Sequence, residues 1–336
     1  MRFTRLPALR LPPFFELHMR NSIASLTNKN LIPTLSAKHM RQLRQKIESL
    51  LLAECLFPAP YKVARRMHSI FQLLALTMAS KPVVYRKRRT LSLLFDATSL
   101  QSEMHLDDPN ELIVGYTQTM MGFLLFDPAP SHIAMIGLGG GSLAKFCYHH
   151  LPQASITVAE ISPEVIALRD QFCIPNDDQR FQIRCIDGAE FIEQAESQFD
   201  VLMVDGFDKN GQPPQLCSQH FYEKCSRALT PNGIMIVNIL GDESNLPELV
   251  ARIQRAFNGA SIVVDALDSL NKIVFAFKGD ALNLPEEVLT SRTDILESLH
   301  PVVMRPIVEY VMRHRGMPGQ RPHCLVSSTM ATSYEN

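Results

Sequence analysis

The stretch Ile133-Ala134-Met135-Ile136-Gly137-Leu138-Gly139-Gly140-Gly141-Ser142 is a short apolar run that ends in four glycines within five positions. A buried strand that turns sharply into a helix, with its backbone pressed against a ligand, needs residues without a Cβ. The following segment, Ser142 to His150, is compatible with a helix. Its N-terminus would offer free N–H groups and a partial positive charge. Then, 23 residues after Gly137, the apolar run Ile156-Thr157-Val158-Ala159 closes on the carboxylate of Glu160. In a βαβ unit, an acid about 20 residues past the glycines binds the two hydroxyls of a ribose. Gly137, Gly139 and Gly141 are therefore candidate cofactor-binding residues, with Glu160 as the ribose ligand. Together they point to a nucleoside.

Downstream, strand-like and helix-like segments alternate. The expected strands are Ile133–Ile136, Ile156–Glu160, Phe181–Ile186, Val201–Val204, Ile234–Asn238, Ser261–Ala266 and Ile273–Phe277. The expected helices are Leu143–His150, Pro163–Phe172, Ala189–Glu196, Gln219–Ala228 and Leu246–Phe257. Strands separated by helix-length segments imply a parallel sheet covered on both faces. The last two strands are joined only by the polar turn Leu267–Asn271, which predicts a terminal hairpin with an antiparallel seventh strand. The fold class is thus α/β, a seven-stranded, doubly wound, Rossmann-like sheet of the methyltransferase kind.

Upstream, Val83–Tyr85 and Leu91–Phe95 read as strands of a small antiparallel unit, and Glu111–Phe126 as a mostly apolar helix interrupted by Tyr116 and Gln118. Residues 1–36 are basic and proline-containing, and are expected to be poorly ordered. Two amphipathic helices are expected at Ala37–Leu56 and Tyr61–Ala79, on either side of Phe57-Pro58-Ala59-Pro60. Pro285–Arg315 is expected to be helical and to pack on the sheet. The domain expectation is a basic, partly helical extension (1–80), a small β/helix unit (81–127), a nucleoside-binding domain (128–320) and a loose tail (321–336).

Charge is distributed unevenly. Residues 1–90 hold 17 Lys/Arg and 3 Asp/Glu, whereas residues 91–336 hold 16 and 31. An acidic body suits a cationic substrate as well as solubility. The seven cysteines show neither disulfide-like nor metal-ligand spacing, so no metal is expected. No apolar stretch reaches the length of a membrane span and no signal-peptide pattern is present. A cytoplasmic location follows as the expectation. The basic helices carry no aromatic interleaving or recognition motif, so no nucleic-acid partner is expected.

Ligands of an open parallel sheet lie outside the carboxyl ends of its strands. The first four strands of the sheet end in Gly137, Glu160, Asp187 and Asp205. Asp187-Gly188 is suited to accept a hydrogen bond from a purine amine. Asp205-Gly206-Phe207-Asp208 adds a turn with two carboxylates, followed by the loop Lys209–Pro214, which has the composition of a lid.

With these residues in place, Leu91–Val237 resembles the spermidine/spermine synthase family of aminopropyltransferases. Its glycine loop, acid-Ile-Asp strand end, Asp-Gly pair and Asp-x-x-Asp loop correspond in order to Gly137–Ser142, Glu160-Ile161-Ser162, Asp187-Gly188 and Asp205–Asp208. The family's Leu-Phe…Phe-Tyr appears as Leu216-Cys217 and Phe221-Tyr222, its upstream Gln as Gln101, and its Tyr-x-Glu as Tyr116-Thr117-Gln118. Three positions depart from the pattern, each by loss of an acid: Gly140 for the loop Asp, Gln118 for Glu and Ser162 for Asp.

The resemblance implies transfer of an aminopropyl group from decarboxylated S-adenosylmethionine to a polyamine or other amine, in a homodimer. It makes Asp205 the proton acceptor, Tyr116 a catalytic partner that positions the amine, and Asp208 and Gln118 ligands of the acceptor. Gln101 would lie on the ribose or sulfonium side. An S-adenosylmethionine-dependent methyltransferase is the alternative enzyme, because losing the loop Asp makes room for a donor carboxylate. A non-catalytic nucleoside-binding or scaffold protein is the alternative outside enzymes.

Overall fold

The computed structural model describes residues 82–94, 100–208, 211–241, 245–267 and 269–315. The extension 1–80 with its two expected helices, Lys209 and Asn210 of the expected lid, Phe95 and the tail 321–336 lie outside these residues. The described residues fall into two compact units, 82–85 with 93–94 and 100–101, and 86–92 with those from 102 to 315.

Strands β1 (Val83–Lys87), β2 (Thr90–Leu94) and β3 (Leu100–His105) form a three-stranded sheet in that order. No strand was expected at β3. Its alternation is real, but one of its inward residues is a serine, Ser102, buried alongside Met104. The expected helix Glu111–Phe126 is shorter: α1 covers Gly115–Met120 and tightens into a 3₁₀ turn over Met121–Leu125. The tightened turn is closely packed. A Cβ on Gly122 would stand 3.0 Å from the Phe275 ring and 3.2 Å from Ile307.

The main sheet contains β4 (His132–Ile136), β5 (Ser155–Glu160), β6 (Phe181–Cys185), β7 (Phe199–Val204), β8 (Leu229–Ile239), β9 (Ser261–Asp265) and β10 (Lys272–Phe277). Their order is β6-β5-β4-β7-β8-β10-β9. The first five are parallel, with Ile133 opposite both Ile156 and Val201. β10 runs antiparallel between β8 and β9, as the short polar turn predicted. Ile133–Ile136, Val201–Val204 and Ile234–Val237 are continuously apolar because helices cover both faces.

These helices are α2 (Ser142–His150), α3 (Pro163–Ile166), α4 (Gly188–Glu193), α5 (Gln219–Ala228) and α6 (Leu246–Ala256), followed by α7 (Glu286–Leu299) and α8 (Arg305–His314). In α6, Leu246, Leu249, Val250 and Ile253 are buried at helical spacing, while Glu248 and Arg252 pair on the outer face. Each such buried side chain contributes about 1.5–3 kcal/mol.

Two helix expectations need correction. Pro163–Phe172 forms only one α-helical turn, α3, capped by Ser162 Oγ. Beyond it the bonds shorten to the three-residue type, Leu168 N–H to Val165 O and Arg169 N–H to Ile166 O, before Cys173 takes φ 54°. Arg169 then holds the following loop through Asp177 at 2.8 Å. Pro285–Arg315 is likewise split, into α7 and α8, at His300-Pro301. No helix among the described residues is long and apolar enough to cross a membrane.

Candidate active site

The carboxyl ends of β6, β5, β4 and β7 lie side by side and are joined at their last residues. Ile186 N–H donates to Glu160 O at 3.1 Å, Gly137 N–H to Ala159 O at 2.9 Å, and Asp205 N–H to Ile136 O at 2.9 Å. Neighbouring strands are about 4.8 Å apart, so the row from Asp187 to Asp205 spans roughly 14 Å. A nucleoside with a short tail fits that length. The chain adds β5 and β6 on one side of β4 and β7 on the other. The row is therefore a topological switch point, where open α/β sheets take their ligands.

The glycine turn follows β4. Gly137 has φ 95°, and a Cβ there would meet the Asp205 carbonyl oxygen at 2.3 Å, so no other residue fits. Gly139 and Gly141 also have positive φ, and Gly141 caps α2 in the left-handed conformation. Gly140 does not have positive φ, yet a Cβ there would stand 2.6 Å from Ser102 Oγ and 2.9 Å from the Phe172 ring. The place of the family's loop acid is thus filled by two neighbours. Ser102 Oγ lies 3.3 Å from Ser142 Oγ at the head of α2.

Glu160 is buried at the end of β5. Its Oε2 accepts the Leu138 N–H at 2.9 Å and its Oε1 the Ser162 N–H at 2.8 Å. The carboxylate therefore clasps the glycine turn to its own strand. Burial raises its pKa, and the backbone donors offset only part of that. The Ile161 and Gly139 N–H groups bond the same carboxylate, so its roughly four acceptor sites are met by backbone donors and a ribose hydroxyl would have to displace one of them.

Asp205, just past β7, has both oxygens engaged. Oδ2 accepts from the Tyr116 hydroxyl at 3.1 Å, and Oδ1 from the Asn238 side-chain amide at 2.8 Å. Loss of water around the carboxyl raises its pKa to about 6, while the two hydrogen bonds pull the other way. Tyr116 is pushed well above its ordinary value by burial and then by the Asp205 charge. Asp205 is thus ionised at neutral pH and still a serviceable proton acceptor. The sequence had brought Tyr116 and Asp205 to one site, and they meet.

The other candidates occupy varied positions. Asp187 Oδ1 caps α4 through the Ala189 N–H at 2.7 Å, and Oδ2 accepts from Gln215 Nε2 at 3.1 Å. Gly188 lies against Ile136, where a Cβ would approach to 2.3 Å. Gln118 turns its Nε2 to the Leu112 carbonyl at 3.0 Å, and its Oε1 is buried with no hydrogen-bond partner among the described residues. Asp208 is exposed at the mouth of a tight turn closed by Asp208 N–H to Gly211 O at 2.9 Å. Gln101 sits on β3, in the other compact unit.

Three neighbours of these groups were not foreseen. Asn238 ends an apolar run next to the Asp205 strand, which is a legible signal. Ser102 and Gln215 carry no sequence cue. Among the described residues, no three His, Cys, Asp or Glu side chains gather closely enough to hold a metal ion.

Fold and site together define an α/β protein of the methyltransferase-like class, its acids aligned along one sheet edge. Residues 113–265 match the spermine/spermidine synthase domain. The polyamine aminopropyltransferase of Chromobacterium violaceum is 37% identical over 207 residues, covering 61% of this chain and 79% of that protein. That of Neisseria meningitidis is 35% identical over 211 residues, covering 62% and 80%. A probable spermidine synthase from Corynebacterium glutamicum shares the fold, with a TM-score of 0.53 at 18% identity over 63% of this chain and 83% of that one. The chain belongs to the spermine/spermidine synthase family. It is a transferase.

Proposed function

We propose that this chain is a spermidine synthase-like aminopropyltransferase that moves the aminopropyl group of decarboxylated S-adenosylmethionine to an amine. Asp205 carries the reading. It is a carboxylate at the switch point, bonded by Tyr116 and Asn238, with a pKa of about 6. The amine nitrogen attacks the carbon beside the sulfonium, the C–N bond forms as the C–S bond breaks, and methylthioadenosine leaves. The ammonium loses its proton to Asp205, and Tyr116 orients the amine.

In the same reading, Glu160 holds the ribose and Asp187 the adenine amine once Gln215 yields. Gly137, Gly139, Gly141 and Gly188 let the backbone approach the nucleoside. Asp208 and Gln118 face the acceptor. The protein's contribution is orientation and a dry, charged site. The proposal extends to a cytoplasmic homodimer. Cys147, Cys173, Cys185 and Cys225 are free thiols, as a reducing compartment leaves them.

The test is release of methylthioadenosine from decarboxylated S-adenosylmethionine with putrescine and other di- and polyamines. Asp205→Asn should lower kcat by roughly 10²–10⁴ with nucleoside affinity little changed. Because the base must be ionised, wild-type kcat/KM should fall as pH drops through about 6, to about a tenth one pH unit below. Full activity in the variant would remove Asp205 from the role. Absence of release with every amine, together with methyl transfer from S-adenosylmethionine, would establish the methyltransferase reading, in which no loop acid at Gly140 repels a donor carboxylate, although Ser102 and Phe172 fill the room that acid would have left.

A further inference from the structure

Asp205 is the near end of a chain of side-chain amides. Asn238, on β8 and 2% exposed, gives its Nδ2 to Asp205 Oδ1 at 2.8 Å. Its own Oδ1 accepts Asn271 Nδ2, also at 2.8 Å. Asn271 lies in the β9–β10 turn, just before β10, where its carbonyl accepts the Ala266 N–H at 3.0 Å. The same turn is fastened to α1 by Leu267 N–H to Thr119 Oγ1 at 3.0 Å. On its other side a Cβ on Gly241 would lie 1.8 Å from the Leu270 carbonyl oxygen. The turn that carries Asn271 is thus wedged between α1, which bears Tyr116, and the end of β8.

The sense of this chain is fixed by chemistry. An ionised carboxylate only accepts, so Asn238 must present nitrogen to Asp205 and keep oxygen for another donor. A side-chain amide turned by 180° would put oxygen against oxygen at Asp205. The Asn271 donor makes that orientation costly at the other end too, by setting two NH₂ groups face to face. We propose that Asn271 is a positioning residue for the base, acting through Asn238, whose amide it holds with nitrogen toward Asp205. This inference rests on the reading of Asp205 as the proton acceptor.

The other groups around Asp205 leave that role to the asparagines. Tyr116 comes from α1 and occupies the second oxygen. Asp208 shares the turn. β4 contributes the Ile136 carbonyl, which accepts the Asp205 N–H. Lys272, next to Asn271 on β10, is paired with Asp265.

The experiment follows the Asp205 carboxyl by ¹³C NMR in the full-length, ligand-free protein, its signal assigned by its loss in Asp205→Asn, alongside the pH profile of aminopropyl transfer. Asn271→Ala should raise the proton affinity of Asp205 about three- to tenfold, the scale of one lost hydrogen bond. The acid limb of kcat/KM should move upward by the same factor, with the high-pH plateau nearly kept. Asn238→Leu should produce at least as large a change. In that background Asn271→Ala should add nothing, because a residue acting through another is silent without it.

Asn271→Ser, which keeps a donor, serves if the alanine variant does not fold, and should lie between the two. An unmoved Asp205 titration in Asn271→Ala, or an additive change in the double variant, overturns the proposal. If the titrations move as expected but no amine is alkylated, the positioning role stands and the aminopropyl reading falls. Normal turnover with an unmoved titration does the reverse.

Discussion

Wild-type stability should gain a Lys145-dependent increment as pH climbs from about 8 to 10, and replacing Lys145 with methionine should abolish it. Lys145 lies on α2, fully buried, and its Nζ donates to the Phe172 carbonyl at 2.9 Å. Burial lowers its pKa from 10.5 to about 8, and electrostatic interaction with the Cys173 and Asp108 side chains pulls the other way. Each pKa unit corresponds to about 1.36 kcal/mol, so the charged lysine costs the folded state about 3 kcal/mol at neutral pH. The folded pKa is depressed. Between about 8 and 10.5 the unfolded chain therefore binds more protons, and stability increases with pH. By pH 10 the penalty has shrunk by about 2.5 kcal/mol.

Methionine has no charge to desolvate, but it leaves the Phe172 carbonyl without its donor, a cost of about 1–3 kcal/mol that does not vary with pH. Urea unfolding followed by circular dichroism at pH 7, 8, 9 and 10 supplies the measurement. The quantity to plot is wild-type stability minus that of Lys145→Met, in which the titrations common to both proteins cancel. It should climb by about 2.5 kcal/mol across the series. A difference that stays flat to within about 0.5 kcal/mol would refute the reasoning, and with it the claim that Lys145 folds into place against its charge.

Glu160→Gln should weaken methylthioadenosine binding by about 1–3 kcal/mol by calorimetry, the worth of a charge-assisted hydrogen bond. Unchanged affinity in a folded variant would take the ribose away from Glu160. Gly140→Asp should destabilise the protein by about 1–3 kcal/mol, because the new side chain overpacks Ser102 and Phe172. Ser102→Gly should relieve part of that loss, and a fully stable Gly140→Asp single variant would contradict it.

The middle of the sheet was legible because β4, β7 and β8 are buried on both faces and carry continuous apolar runs, and because β4, β5, β6 and β7 each lead into a glycine or an acid. The row Gly137, Glu160, Asp187 and Asp205 follows from those ends. Where tertiary packing decided local form, the sequence misled. The helix after Pro163 stops after one turn and Arg169 holds the loop beyond it, and the helix through Tyr116 tightens where Gly122 meets Phe275. Asn271 and Ser102 show another limit. An asparagine in a hairpin turn and a serine in an upstream strand have ordinary local explanations. Their link to Asp205 and Gly140 exists only across separations of 66 and 38 residues.

The filled space at Gly140 also bears on history. A lost side chain often leaves a gap, and a single substitution can then restore it. Here Ser102 Oγ and the Phe172 ring stand where a side chain at position 140 would begin, so an acid enters there only at a packing cost of about 1–3 kcal/mol. A smaller residue at position 102 would lower that cost, so the order in which the two positions change decides how steep the path is.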